Sequence, residues 1–399
     1  MTSAWEIIFW VSAFLIFYAF GGYGIVLFFI LKIRSVFIGP GRHVDDLTDA
    51  ELPDVCLIIA AYNERDYVDL KISNSLSLDY PADKISIVWV NDGSDDGTPE
   101  LVGNYPEVTL LHNPCRSGKI EAMNRGAEFS SAPILFFTDA NTMLSPNSIR
   151  AVVRHFNDRT VGCVAGEKRF FRTAGQHVAA AGEGLYWKIE SWLKRLDHQF
   201  YSTIGATGEL FAVRKELFQR VEPDTILDDF MISMRIARQG YKIAYEPEAI
   251  ATETGSSGMN EELKRKVRIA AGCYQSLFRL KRILNPFFNL KLFFQYVSHK
   301  VLRWTLAPLA LITLLISNIV ILFFQEPHLA GAIYGVMLFL QVCVYSLALW
   351  GLLTHNNPVR LKFIYSPFYF MAMNYAMVKG FFRFLKGSQS VLWEKSKRA

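Results

Sequence analysis

The sequence has little of what a disulfide-bonded or zinc-stabilised protein needs. Its five cysteines are scattered and none forms a Cys-x-x-Cys pair, which argues against both classes and favours a reducing compartment or lipid around them. Charged residues make up only 20% of the chain, whereas 14% are aromatic, and this composition excludes a disordered protein. The net charge of +5 is too small by itself to indicate a nucleic-acid partner, so we predict none.

Charge is missing altogether from three long segments, residues 7–31, 304–325 and 329–353. Each is long enough to cross a bilayer as a helix. A fourth uncharged run, residues 363–378, is shorter and contains Pro367. This run either crosses the membrane or forms a re-entrant or interfacial helix that keeps the basic C-terminal tail inside, and the sequence leaves both open.

The charges that flank these runs predict an orientation. Lys32 and Arg34 follow the first run, Arg360 follows the third, and Glu326 lies in the link between the second and third. Basic flanks stay in the cytoplasm. We therefore expect a multi-pass plasma (inner) membrane protein with its N-terminus outside and its large polar region cytoplasmic. The first residues contain no lysine or arginine, so a cleaved signal peptide is not expected.

That polar region, residues 50–262, is predicted to be an α/β domain. Predicted strands at residues 55–61, 85–90, 109–111, 134–138 and 161–165 alternate with predicted helices at residues 66–77, 119–130 and 145–157. This alternation favours a mostly parallel sheet that is covered on both faces. Ligands of such sheets bind beyond the carboxyl ends of the strands.

The remaining chain divides by composition. Residues 263–302 are rich in basic and aromatic residues and contain no acidic one, which predicts amphipathic helices in the interface of the anionic cytoplasmic leaflet. The predicted organisation is thus an N-terminal transmembrane helix (1–36), the α/β domain (50–262), interfacial helices (263–302) and a C-terminal transmembrane or re-entrant region (303–399).

Polar clusters follow four of the predicted strands. They are Tyr62-Asn63-Glu64, Asn91-Asp92-Gly-Ser, Gly118-Lys119 and Asp139-Ala-Asn141. One such cluster alone would be interpreted as a turn, but four at successive strand ends would converge on one crevice. There, Asp92 can accept hydrogen bonds from a uracil or a ribose, and Lys119 near a helix start can meet a diphosphate. Asp139 and Asn141 can present oxygen atoms to Mg²⁺ or Mn²⁺, which would neutralise a departing nucleotide.

These segments resemble the donor-binding signature of the family 2 glycosyltransferases over residues 55–282. The shared motifs are Tyr-Asn-Glu, Asn-Asp-Gly-Ser-x-Asp-x-Thr, Gly-Lys-x-x-Ala-x-Asn and Asp-Ala-Asn. The resemblance implies a GT-A fold and a UDP-sugar donor bound by Tyr62, Glu64, Asp92, Lys119 and Asp139. Asn141 stands where the family usually has a second aspartate, so Asp139 is the only formal charge of this motif.

A pair of carboxylates, Asp228 and Asp229, stands at a predicted helix start. They could serve only as the acidic first turn of that helix, but the Arg-x-Gly-Tyr-x-Ile-x-Tyr-Glu-Pro that follows also matches the family. The resemblance implies that Asp229 is the general base for the acceptor hydroxyl, with Asp228 raising its pKa. Arg268 remains from the Gln-x-x-Arg-Trp motif of polymerising members and can clamp a diphosphate, whereas Ile269 replaces the tryptophan.

The acceptor side is predicted from a small-residue loop that contains Thr207, Gly208 and Glu209. The family carries a comparable loop under the acceptor sugar, although glycines alone would also fit a flexible strand edge. Trp187 could stack on a sugar ring or belong to the core.

We therefore predict an inverting glycosyltransferase that uses a UDP-sugar to elongate a β-linked extracellular polysaccharide with coupled export. In this it is similar to poly-N-acetylglucosamine, hyaluronan and cellulose synthases. The alternative is non-processive transfer to a lipid-linked acceptor. An inactive domain on a transporter or structural membrane protein would leave the four clusters unexplained. The sequence leaves open the need for a partner subunit or a homo-oligomer.

Overall fold

The computed structural model describes residues 4–38, 47–170, 178–254, 258–324, 331–354, 362–387 and 389. The predicted outer link with Glu326 and the basic residues Arg42 and Arg360 lie outside these ranges. The strands are β1 (Val55–Ala61), β2 (Ile85–Asp92), β3 (Val108–Asn113), β4 (Ile134–Asp139), β5 (Met143–Leu144), β6 (Val161–Phe170), β7 (Phe211–Arg214) and β8 (Lys242–Glu253).

The helices alternate with these strands and extend beyond them at both ends of the chain. They are α1 (Ala4–Phe17), α2 (Tyr23–Ile38), α3 (Val68–Leu76), α4 (Thr98–Val102), α5 (Lys119–Phe129), α6 (Ser148–Val153), α7 (Val178–Phe200), α8 (Asp228–Arg238), α9 (Met259–Arg279), α10 (Leu290–Tyr296), α11 (Leu302–Trp304), α12 (Leu306–Phe324), α13 (Gly331–Thr354) and α14 (Lys362–Leu385).

One mixed sheet organises the polar domain, in the order β3-β2-β1-β4-β7-β6-β8-β5. Strands β3, β2, β1 and β4 run parallel to one another. Strand β7 is antiparallel to both of its neighbours, β4 and β6. Every residue of β1 is buried, as expected for a parallel strand that is covered on both faces. The predicted α/β domain with a mostly parallel sheet is thus confirmed, while β5, β7 and β8 were not predicted.

The register of the parallel strands aligns their carboxyl ends. Ala60 pairs with Asp139 of β4, and Ala61 pairs with Asn91 of β2. Helix α5 lies so close to β1 that a Cβ on Gly126 would come within 2.6 Å of the Ile58 side chain. The loops after β1, β2 and β4 and the start of α5 therefore meet at one edge of the sheet.

Three helices among the described residues are long and apolar enough to cross a membrane, namely Ala4–Phe37, Leu306–Phe324 and Gly331–Thr354. They cover the three predicted spans. The second and third correspond to α12 and α13, whereas the first is a continuous helix that contains α1, a π-helical turn at Tyr18–Gly22, and α2.

The two halves of the first helix have different neighbours. Helix α1 packs beside α12, where Ser12 Oγ lies 2.8 Å from Thr313 Oγ1. Helix α2 instead packs on α7 of the polar domain, where Tyr23 Oη donates to Asp197 Oδ1 at 2.5 Å. The segment predicted as one membrane span therefore also attaches the α/β domain to the membrane helices.

Helix α14 contains the fourth apolar run and extends on both sides of residues 363–378. It runs alongside α9, with Phe368 against Met259 near one end and Phe384 stacked on Phe278 near the other. Helix α14 also packs on α13, where a Cβ on Gly351 would lie 2.5 Å from the Phe368 side chain. It therefore contacts both α9 and a candidate membrane span, and the two interpretations of residues 363–378 stay predictions.

The predicted interfacial segment, residues 263–302, includes most of α9 and all of α10. Leu292 and Tyr296 are buried in the core of the α/β domain, whereas Phe287 is 97% exposed. One side of the segment thus completes the domain and the other presents aromatic surface.

Candidate active site

Three side chains from separate elements meet at the sheet edge. The Lys119 Nζ atom, at the start of α5, lies 2.6 Å from Asp139 Oδ1 and 3.2 Å from Asp228 Oδ2. Burial lowers the pKa of Lys119, but the charges of Asp139 and Asp228 outweigh burial and raise this pKa above its ordinary value. The lysine is therefore a fixed positive charge between two carboxylates.

The loop before α5 is held by Asp92. Its Oδ1 atom accepts a hydrogen bond from the Ser117 N–H at 3.0 Å, and its Oδ2 atom accepts one from Gly118 N–H at 2.6 Å. Gly118 has φ = 97°, a backbone conformation that favours glycine. Asp92, predicted to contact the nucleotide, is itself buried and positions the turn that presents Lys119.

Tyr62 directly follows β1, and its ring lies beneath the Arg116 guanidinium. The guanidinium carbon of Arg116 is 3.8 Å from the centre of the Tyr62 ring, a cation–π contact with the planar arginine stacked on the ring. The loops after β1 and β2 are joined because Asn63 Nδ2 donates to Asp95 Oδ1 at 2.8 Å. Glu64 is buried beside them, and its N–H donates to Thr98 Oγ1 at 3.1 Å.

The carboxylate pair stands in the first turn of α8. The N-cap residue is Leu227, and no side chain caps the helix. Asp228 faces Lys119, while Asp229 Oδ1 accepts a hydrogen bond from the N–H of Phe230 at 2.7 Å. Burial, followed by the neighbouring Asp228 charge, raises the pKa of Asp229 to about 7. This geometry favours the chemical interpretation of the pair over a capping role.

The predicted acceptor loop passes directly over this pair. A Cβ on Gly208 would lie 3.3 Å from Lys119 Nζ and 3.5 Å from Asp229 Oδ2. The loop is tied to β4 because Thr138 Oγ1 donates to the carbonyl oxygen of Glu209 at 2.8 Å. The lack of a side chain at Gly208 therefore leaves space beside the carboxylate of Asp229, with Thr207 next to it.

Glu209 and Trp187 are brought together by a residue that the sequence analysis missed, Lys168. This buried lysine forms ion pairs with both Glu209 and Glu253, and its Nζ lies 5.1 Å from the centre of the Trp187 ring. Burial raises the pKa of Glu209, but Lys168 outweighs burial and holds it below its ordinary value. The Trp187 indole N–H has no hydrogen-bond partner among the described residues. The Glu-Lys-Arg that follows the predicted strand 161–165 was the available signal.

Lys71 on α3 was also missed. It is fully buried, and its Nζ donates to Thr138 Oγ1 at 3.1 Å and to the Thr142 carbonyl oxygen at 2.5 Å. Burial lowers the pKa of Lys71 to about 7, against the opposing charge of Asp139. Lys71 shares the buried face of α3 with Val68 and Ile72, so its helical spacing was a readable sign of burial.

Arg268 lies on α9, within electrostatic reach of the same carboxylates. Burial lowers its pKa, and the charges of Asp228, Asp229 and Asp139 act against this lowering. The predicted donor, base and acceptor residues therefore converge on one crevice, with Arg268 supplied by a helix outside the sheet.

The residues present fit a divalent cation. Asp139 and Asp228 already surround one positive charge, the Lys119 ammonium. Asn141 is buried two residues after Asp139, and its amide oxygen is a neutral ligand of the kind that such cations accept. No group of three or more His, Cys, Asp or Glu side chains in the described part of the chain could hold a metal by itself. An ion at Asp139 would thus take further oxygen atoms from water and phosphate.

Comparison with known proteins identifies similarities that cover the donor-side residues of this crevice. The model of glycosyl transferase family 2 matches residues 56–222. The poly-β-1,6-N-acetyl-D-glucosamine synthase of Staphylococcus aureus (strain MSSA476) is 28% identical over 266 residues, which cover 64% of this chain and 62% of the synthase. A probable glycosyltransferase of Bacillus subtilis (strain 168) is 26% identical over 263 residues, which cover 60% of this chain and 59% of that protein. The alignment thus spans less than two thirds of the length of either relative.

A solved structure extends the likeness to the arrangement of the helices. A mannosyltransferase from Pyrobaculum calidifontis, determined with GDP-mannose and Mn²⁺, superposes with a TM-score of 0.68 and 22% identity, covering 96% of this chain and 99% of that one. At 22% identity, this match shows a shared fold alone. The motif-bearing strand ends, the sheet and these relatives agree: residues 56–222 match glycosyl transferase family 2, and the chain is similar to glycosyltransferases, with a GT-A type α/β domain and apolar helices that could span a membrane.

Proposed function

We propose that this enzyme transfers a sugar from a UDP-sugar to the growing end of a β-linked polysaccharide at the cytoplasmic face of the plasma membrane. The observation that carries the proposal is the single crevice in which Lys119, Asp139, Asp228, Asp229 and the open space at Gly208 meet. This set combines a cation for a diphosphate with a base that has room for an acceptor.

The donor is proposed to lie along the strand ends. The nucleotide base would stack near Tyr62 and Arg116, and the diphosphate would extend towards Lys119 and Arg268. Both Lys119 and Arg268 lie near or within the carboxylate cluster, where each could form a charge-assisted hydrogen bond with a phosphate oxygen. Mg²⁺ or Mn²⁺ held by Asp139 and Asn141 would neutralise charge on the departing nucleotide.

The acceptor hydroxyl is proposed to lie beside Gly208 and within reach of Asp229. Asp229 takes the hydroxyl proton as the acceptor oxygen forms a bond to the anomeric carbon and the bond from that carbon to the diphosphate oxygen breaks. The nucleotide diphosphate leaves with the bonding electron pair. This single in-line displacement inverts the anomeric carbon, so an α-linked donor gives a β-linkage.

Polymer synthesis is supported by the similarity to the poly-β-1,6-N-acetyl-D-glucosamine synthase, of whose length the alignment covers 62%. Glu209 and Trp187 would bind the acceptor sugar beside the base, because Lys168 places both next to the Gly208 loop. The basic flanks of the apolar segments support the cytoplasmic orientation, with export coupled to synthesis.

A lipid-linked acceptor is the second proposal, favoured by an apolar cavity with cationic residues beside the crevice. Mass analysis of the product separates the two. The full chain in nanodiscs would be supplied in turn with UDP-N-acetylglucosamine, UDP-glucose and GDP-mannose. Long chains formed early, with most acceptors unused, support the polymer, whereas one added sugar on nearly every acceptor supports the lipid. Turnover of GDP-mannose alone would overturn the UDP-sugar assignment.

The metal is tested by calorimetry of UDP binding with and without Mn²⁺. Asp139→Ala should lose the metal-dependent part of the affinity. Asp92→Ala should weaken binding while leaving a response to metal, because Asp92 positions the Lys119 turn and does not face the ion. Wild-type affinity that ignores Mn²⁺ would overturn the metal assignment.

A further inference from the structure

A cavity of about 380 Å³ lies between α7, α9, α14 and the π-helical turn of the first helix. One wall is apolar and includes Phe20, Ile269, Phe370, Met373 and Met377. Three cationic side chains, Lys266, Lys300 and Arg303, line the same space. A cavity with both kinds of lining suits a ligand that is itself part apolar and part charged.

The cavity lies where the membrane helices meet the α/β domain. Helices α1 and α12 pair with each other up to this level, and Arg303 Nε donates to the carbonyl oxygen of Ala19 at 2.7 Å in the π-helical turn. Beyond this turn, α2 packs on α7 instead. The cavity therefore lies at the junction between the candidate membrane spans and the α/β domain.

The rim on α7 is apolar and exposed. Tyr186 and Ile189, which line the cavity, are 37% and 43% exposed, and Trp192 continues the row one turn further at 41%. Residues three apart share a helix face, so these three form an apolar stripe. Aromatic and aliphatic side chains in such a stripe fit the boundary between headgroups and acyl chains.

Positive charge exceeds negative charge in the described lining. Glu190 is its single acidic residue, and it forms ion pairs with Lys300, His299 and Arg303. Burial raises the pKa of Glu190, but Lys300 and His299 outweigh burial and keep this pKa well below its ordinary value. Lys266 Nζ contributes a further charge 3.3 Å from Glu262 Oε1.

Helix α9 connects the cavity with the catalytic crevice. Its residues Lys266, Ile269 and Cys273 line the cavity, whereas Arg268 lies within electrostatic reach of the catalytic carboxylates. Trp304, which also lines the cavity, packs edge-on against Phe230, the residue after Asp229, with ring centres 5.4 Å apart. A ligand in the cavity would therefore lie near the proposed base.

We propose that this cavity binds a lipid phosphate, with its hydrocarbon chain against Phe370, Met373 and Met377 and its phosphate group facing Lys266, Lys300 and Arg303. A phosphate satisfies cations in partly buried surroundings by charge-assisted hydrogen bonds. The chain enters from the bilayer past the stripe on α7. The inference deepens the lipid-acceptor form of the proposed function, since it names the acceptor class, and its binding step can be tested without sugar transfer.

The test is a titration of the full chain in phosphatidylcholine nanodiscs with dioctanoyl phosphatidic acid, followed by native mass spectrometry. The wild type should bind it saturably, and added dioctanoyl phosphatidylcholine should not compete. Met373→Trp fills the apolar wall and should weaken binding at least about tenfold, which corresponds to about 1.4 kcal/mol. Leu340→Trp, on the exposed face of α13, is the matched control and should bind as the wild type does.

Lys266→Gln tests the charged part. It should weaken binding of phosphatidic acid about tenfold and leave that of uncharged dioctanoylglycerol unchanged, because only the phosphate can form a charge-assisted hydrogen bond with Lys266. Inorganic phosphate at millimolar concentration should displace little of the lipid. Complete displacement would identify free phosphate as the ligand and overturn the lipid assignment.

Equal binding to Met373→Trp and the wild type would also overturn the proposal, as would equal affinity for phosphatidylcholine. UDP binding to each variant confirms that the α/β domain is folded. A wild type that binds phosphatidic acid but neither binds UDP nor transfers a sugar would contradict the proposed function while leaving this site supported.

Discussion

The donor side and the acceptor side of the crevice are built in different ways. On the donor side, contacts join neighbouring loops, as between Asn63 and Asp95, which are 32 residues apart, or Asp92 and Gly118, which are 26 apart. On the acceptor side, contacts join more distant elements, as between Lys168 of β6 and Glu253 of β8, which are 85 residues apart, with Trp187 of α7 packed beside Lys168. The donor side thus follows from the order of strands, and the acceptor side depends on how helices pack.

Charge is also distributed differently on the two sides. On the donor side, one lysine stands between two carboxylates that line an open crevice. On the acceptor side, Lys168 is buried between Glu209 and Glu253. The charged groups of the first arrangement are partly exposed and can contact a ligand, whereas the buried ion pairs of the second hold the surrounding structure in place.

The largest effect is expected at the junction of the two sides. Asp229→Asn keeps the shape of the side chain but removes the base, so transfer should fall by at least about 10²–10⁴-fold. Initial rates of product formation and UDP calorimetry measure the two consequences, and UDP affinity should stay as in the wild type. Asp228→Asn should reduce the rate less, and near-normal turnover in Asp229→Asn would rule out its role as base.

Breaking the acceptor side alone should cost stability. Lys168→Met leaves Glu209 and Glu253 buried without their cation, which should lower the free energy of unfolding by about 3–5 kcal/mol. Thermal unfolding of the purified chain, compared with Lys188→Met on the exposed surface of α7, provides the measurement. The control should change stability by less than about 0.5 kcal/mol. An equally small effect of Lys168→Met would show that the buried ion pairs do not hold the acceptor side.

The smallest effect concerns pH. The pKa of Asp229 is raised to about 7, and a base must be deprotonated, so the transfer rate should fall about tenfold for each pH unit below this value. UDP affinity should change less over the same range. Asp228→Asn removes a neighbouring charge that raises the pKa, so the fall in rate should move to lower pH. A profile that does not move in this variant would show that Asp228 does not influence the base.

Much of the donor side could be predicted because its signals are local. The predicted strand at residues 55–61 coincides with β1, and the predicted helix at residues 119–130 nearly coincides with α5. Parallel strands align their carboxyl ends, so the polar clusters that follow them had to meet. The roles predicted for individual site residues stay predictions until they are tested.

The second half of the sheet was harder to predict. Strand β8 contains Glu246 and Glu248 around a proline, which interrupts the apolar pattern of a buried strand. Arg154 compensates these charges, with its Nη2 atom 2.9 Å from Glu246 Oε2 and 3.0 Å from Glu248 Oε2. When the charges of a strand are paired with a residue on another element, the strand's own sequence lacks the apolar pattern that would predict it.

By itself, the sequence determined the α/β domain, the clusters at its strand ends and the apolar helices, because periodicity and composition are local properties. Only the tertiary structure decided that α2 packs on α7, that α14 follows α9, and that Lys168 lies between two glutamates. The physical reason is that an apolar helix face gains similar free energy from contact with lipid and from contact with protein, so its sequence does not specify its neighbour. A buried charge is stabilised by a partner of opposite charge, and only the packing of the chain determines which residue that is.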